Sequence, residues 1–241
     1  MRFNILVTLV VLLAAVSPAM WRVASERISL QREATAQAEE AGARQSNRVV
    51  EPRKRCFQCD LQGENMSGQD LSRQDFTESD LTAADLSETL LINAILHKTD
   101  LSQASLHRAT LQGADLTEAV LQGADLGQAQ MLHTNLGKAN LSEASLGQAE
   151  LRDASLCATQ LQRADLSEAS LYGAILRSAD LTGADLRGAD LRYADLYQAK
   201  LEDANLTGAR LEFATMPDGS TYNQGYVNSV NPSQGCEPAA E

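Results

Sequence analysis

The sequence predicts a solenoid, a rod of stacked coils, and three observations carry that prediction. Residues 59–218 divide into 32 consecutive five-residue units without one slip of register. A large apolar residue marks every unit from Leu61 to Met216; 28 of the 32 are Leu, and the others are Met66, Phe76, Met131 and Met216. Two places earlier the residue is small, Ala in 23 units and Cys59, Ser79, Thr89, Thr99, Thr134 or Thr159 in six more. A period of five fits neither the 3.6 of a helix nor the 2.0 of a strand, so neither element would gather these leucines on one side. Short, fixed self-similarity belongs instead to chains in which each turn buries its apolar face against the next.

Between the small residue and the Leu sits a polar one, most often Asp, as in Ala179-Asp180-Leu181-Thr182-Gly183. In this A(D/N)LXX pattern, held over about two thirds of the chain, the sequence resembles the pentapeptide-repeat family. The resemblance implies an all-β fold, a right-handed quadrilateral β-helix in which four units form one square coil with the Leu and the small residue inside. Eight coils would follow. At ~4.8 Å per coil, the spacing of paired parallel strands, they make a rod roughly 40 Å long. Each inward Leu, fully buried, contributes about 2 kcal/mol, so the core needs no cofactor. Glu64, Gln69 and Gln74 depart from the pattern at the small inward site, which predicts a less regular first coil.

Four segments follow in order. Residues 1–19 read as a signal peptide or a membrane anchor: one positive charge, an apolar run from Ile5 to Val16 broken only by Thr8, then Ser17-Pro18-Ala19 as a cleavage candidate. Residues 20–58 are a linker whose composition allows a helix between about Val23 and Ala41, with too thin an apolar face to pack. The repeat occupies 59–218, and 219–241 is a tail expected to cap the last coil, with Tyr222, Tyr226 and Val227 as its apolar residues. Charge divides along the same lines. The linker carries net +3, including Arg53-Lys54-Arg55, whereas the rod holds 25 acidic and 11 basic residues, net −14.

Of the four cysteines, Cys56 and Cys59 form a C-x-x-C at the entrance to the rod, with Cys157 and Cys236 far along the chain. In an exported chain the pair reads as a disulfide closing the first coil; a thiol switch is the sharper alternative. Similar C-x-x-C-D-L starts occur in exported cyanobacterial and thylakoid-lumen members of the family. Sequence alone leaves three pairings of the four cysteines open.

Catalysis requires converging groups, and a regular rod separates them. The 13 Asp residues that precede a Leu or Phe include stacks such as Asp60, Asp80 and Asp100, or Asp165 and Asp185, in which carboxylates on neighbouring coils could hold a cation or raise one another's pKa. The family resemblance assigns them instead to turn and backbone hydrogen bonding. His97, His107 and His133 fall in different columns, and no phosphate loop or nucleotide fingerprint is present. No enzyme activity, metal or cofactor is expected.

Sorting outward residues by position modulo 20 leaves the faces of the Leu61 and Met66 columns almost wholly polar. Apolar residues collect on the other two: Leu90, Ile92, Leu132, Tyr172, Tyr193 and Phe213 by the Leu71 column, and Ile95, Ile175 and Tyr197 by the Phe76 column. These nine form a candidate protein-docking face. The sequence thus points to a non-catalytic scaffold, exported to a periplasm or thylakoid lumen, that holds an unknown protein partner. Membrane contact is expected only through an uncleaved N-terminus, and no nucleic-acid partner is expected. Two alternatives remain: an acidic DNA mimic that inhibits a topoisomerase, as some cytosolic members of the family do, and a redox-switched binding protein using Cys56 and Cys59.

Overall fold

The structure, a computed structural model, describes residues 56–222. The signal or anchor segment, the linker up to Arg55 with its expected helix, and the tail beyond Tyr222 lie outside the described residues.

Each unit ends in a turn. The carbonyl of Leu116 accepts a hydrogen bond from the Ala119 N–H at 3.0 Å, and its counterparts repeat along the chain. The third residue of such a turn needs positive φ. Every fifth residue from Gln58 to Phe213 supplies it, 24 of them not glycine. The residue before the next Leu then pairs in parallel with the residue 20 positions later, in 28 successive bridges from Asp60 with Asp80 to Asp195 with Thr215. One coil is therefore four units, as the resemblance implied.

The β character differs from that of an ordinary all-β domain. Among the described residues pairing is confined to single-residue bridges, with no extended strand. The reason is local: two of every five residues are spent turning, so the backbone never runs straight long enough. The bridges are joined by further inter-coil bonds, for example Leu116 N–H to the Asn135 carbonyl at 2.7 Å and Glu118 N–H to the Gly137 carbonyl at 2.9 Å. The result is a repeat β-helix.

The Leu, Met and Phe columns are buried through the first seven coils, and the inward alanines with them. Where Thr replaces Ala its hydroxyl must find a partner inside. Thr99 donates to the Phe76 carbonyl at 2.8 Å, Thr134 to that of Leu111 at 2.9 Å and Thr159 to that of Leu136 at 2.9 Å, and Ser79 donates in the same way to Cys56. The expectation of an irregular first coil is corrected. Glu64 and Gln69 are half-buried and Gln74 buried, yet turn and bridge recur there unchanged, because the bonds that set them are made by the backbone and not by the inward side chain.

At the other end Leu201, Leu206, Leu211 and Met216 are only half-buried. Over part of that edge the chain turns back: Thr221 pairs antiparallel with Thr215, and Tyr222 exchanges hydrogen bonds with Phe213 and Ala214.

Candidate interaction surface

The stacked carboxylates are tied into the backbone. All 13 aspartates accept a hydrogen bond through Oδ1 from the N–H two residues on, at 2.9–3.3 Å. Several gain a hydroxyl as well, such as Thr182 to Asp180 at 2.6 Å. These donors favour the charged form. The Thr82 hydroxyl holds Asp80 below the usual carboxylate range despite some burial, although Asp80 stands in register between Asp60 and Asp100. The Thr182 hydroxyl, with Lys200 at 3.0 Å, lowers Asp180 to about 2. At Asp80 the hydroxyl donor therefore outweighs the stacking of carboxylates. Among the described residues no three His, Cys, Asp or Glu side chains converge in a way that could hold a metal ion. His107 approaches Asp125 at 3.8 Å, a pair rather than a ligand set.

Cys56 and Cys59 are joined in a disulfide with Cα atoms 5.3 Å apart. It closes the first turn of the rod: the Cys56 N–H bonds to the Asp75 carbonyl, and the Cys59 N–H to the Ser79 hydroxyl. Phe57, inside this loop, is half-exposed, as is Tyr222 at the other end. The five-residue pattern places neither on a face, since each lies at the margin of the repeat.

The nine residues of the candidate face resolve into two patches and one isolated side chain. Leu90, Ile92 and Ile95 occupy adjacent turns of the second coil (79–98), Leu90 and Ile95 exposed and Ile92 half-buried. Leu132 stands alone in the fourth coil (119–138), separated from Ile92 by Gln112 and from Tyr172 by Arg152 in its own column. The remainder gather in the sixth to eighth coils (159–218). There Tyr172, Tyr193 and Phe213 form an aromatic ladder with ring centroids 5.2 and 5.0 Å apart, the second pair stacked at 16°. Tyr193 and Phe213 remain 51% and 48% exposed.

Two arginines frame this patch. The Arg192 guanidinium lies 5.3 Å from the Tyr172 ring centre and bonds Asp190, and that of Arg177 lies 5.8 Å from Tyr197 and bonds Asp195. Asp190 sits below its ordinary pKa because of Arg192. Exposed aromatic rings with restrained arginines are the composition that concentrates binding energy at protein interfaces.

Comparison with known proteins agrees with this architecture. A family profile described as pentapeptide repeats, in eight copies, matches residues 55–91, 84–123, 119–156, 149–188 and 184–217. No curated protein matches the chain in sequence. Among solved structures it is similar to HetL, a pentapeptide repeat protein involved in heterocyst differentiation regulation in the cyanobacterium Nostoc sp. strain PCC 7120. Identity is 31% over 70% of this chain and 94% of that one, with a TM-score of 0.45. A trypsin-treated variant of QnrB1, a plasmid-mediated fluoroquinolone resistance protein, is 24% identical over 64% of this chain and 78% of that one, with a TM-score of 0.54. A pentapeptide repeat protein of the Arabidopsis thaliana thylakoid lumen is 32% identical over 50% of this chain and 75% of its own length, with a TM-score of 0.20. With the repeat matched over most of its length and the same five-residue register in its turns and bridges, the chain belongs to the pentapeptide-repeat family.

Proposed function

We propose that this chain is a non-catalytic scaffold, exported to a periplasm or thylakoid lumen, that holds a protein partner on the aromatic patch of its last three coils. The observation that carries the reading is the ladder of Tyr172, Tyr193 and Phe213 beside Arg192, an arrangement of rigid rings that the fold does not need for its own core. Export rests on the apolar leader at residues 5–16 and accords with the Cys56–Cys59 disulfide, a bond that persists in oxidising compartments. Capture from the native compartment tests the proposal. Replacing Tyr172, Tyr193 and Phe213 together by Ser should weaken partner retention by about thirtyfold or more, the ~2 kcal/mol expected of a hot spot. A matching Leu90, Ile92 and Ile95 to Ser variant should capture normally. Equal retention by all three proteins rules the aromatic patch out.

A second reading, a redox-switched binding protein, draws on the disulfide that closes the first coil around half-exposed Phe57. It requires capture to change with dithiothreitol and to become insensitive once Cys56 and Cys59 are Ser. Mimicry of DNA is disfavoured by the way the 13 aspartates are fixed in turns of a rod that also exposes apolar patches; inhibition of a topoisomerase by the purified protein would reinstate it.

A further inference from the structure

One outward position is unlike the others. Cys157 follows an inward Leu, where the first turn residue of a unit ordinarily faces solvent. Of all such positions in the described residues, it and Gly127 alone are buried. Its column continues through Arg177 and Tyr197 to Pro217 on successive coils. Arg177 is covered too: its side chain is 12% exposed, against 53% for Arg152 and 59% for Arg187 at equivalent positions. The turn at the end of the last coil leans on the same column, since a Cβ at Gly219 would lie 3.4 Å from the Tyr197 ring.

Cys157 is disulfide-bonded. Cys56 and Cys59 are bonded to each other, so neither can be its partner. The chain holds one further cysteine, Cys236, which lies outside the described residues. We propose that Cys236 is the partner, so that this bond ties the C-terminal residues to the fifth coil of the rod.

Reach permits it. Cys157 and Pro217 are three coils apart, about 14 Å at ~4.8 Å per coil. The 14 residues that follow Tyr222 up to Cys236 span up to roughly 46 Å when extended.

The test uses the full chain purified without reductant, alkylated under denaturing conditions and digested with trypsin. A linked pair of peptides, 153–163 with 211–241, is expected from a protein that runs as a monomer on a non-reducing gel. Alkylated Cys157 and Cys236, a linked pair found only in a disulfide dimer, or Cys236 joined to Cys56 or Cys59 would each overturn the proposal. The tether is read separately by chymotrypsin on the folded chain. A fragment cut after Tyr226 should stay with the rod until dithiothreitol supplies the two electrons and two protons that return the bond to two thiols. In the Cys236→Ser chain, with an unchanged circular dichroism spectrum, Cys157 should react with maleimide without denaturant and cleavage after Tyr226 should accelerate. An unreactive Cys157 and unaltered cleavage there would overturn the proposal.

Discussion

A single inward Thr shows how narrowly the interior of this rod is specified. Thr134 occupies an Ala site and donates its hydroxyl to the Leu111 carbonyl, which also accepts the Ala114 N–H of its own turn. Because that carbonyl retains one partner, Thr134→Val should cost only about 1 kcal/mol, measurable by urea unfolding. Asp180 provides the complementary test at the surface. Its folded pKa of about 2, set first by the Thr182 hydroxyl and then by Lys200, lies below the unfolded carboxylate value. The stability it contributes is therefore present above about pH 5 and is lost as pH falls through its folded pKa. The difference in unfolding midpoint between the native chain and Asp180→Asn should shrink from pH 5 toward pH 2. Gly183 has φ +68° and open space around it, with Arg163 Cγ the nearest atom to an added Cβ at 3.5 Å. Gly183→Ala should cost about 1 kcal/mol from the left-handed backbone alone, with no change in circular dichroism.

At the scale of one coil, large and small inward residues are not interchangeable. Leu146 and Ala144 are both buried in the fifth coil (139–158). Removing the Leu leaves a cavity in a lattice held on two sides by neighbouring coils, so Leu146→Ala should cost about 2–5 kcal/mol. Enlarging its neighbour, Ala144→Leu, should cost about 1–3 kcal/mol by overpacking. Thermal unfolding of both variants checks the order. This level of structure was legible in the sequence because the five-residue beat marks a solenoid and resembles the pentapeptide-repeat pattern, which implies Leu and Ala inside and assigns the aspartates before the Leu to turn hydrogen bonding. The absence of extended strands was less legible, since periodicity reports which residues face inward and not how long the backbone stays straight between turns. Glu64, Gln69 and Gln74 misled for a related reason: the inward side chain takes no part in the backbone bonds that set turn and bridge.

For the whole molecule, position modulo 20 assigned each outward residue to a face but could not say how near two residues on that face would be. Ile95 and Ile175 share a column and stand four coils apart, about 19 Å at ~4.8 Å per coil. Tyr193 and Phe213, one coil apart, stack. Two apolar patches thus looked like one surface until the axial coordinate was known. The bridge interval of 20 residues also makes the rod a combination of gauge and compass. Excising residues 119–138 would shorten it by one layer and leave every remaining side chain pointing as before. Excising five residues instead would swing all that follows by a quarter turn, carrying the Tyr193 and Phe213 rings around the corner from Ile92. Natural length variants that differ by whole twenties should therefore keep their binding habits, while those that differ by fives should change them.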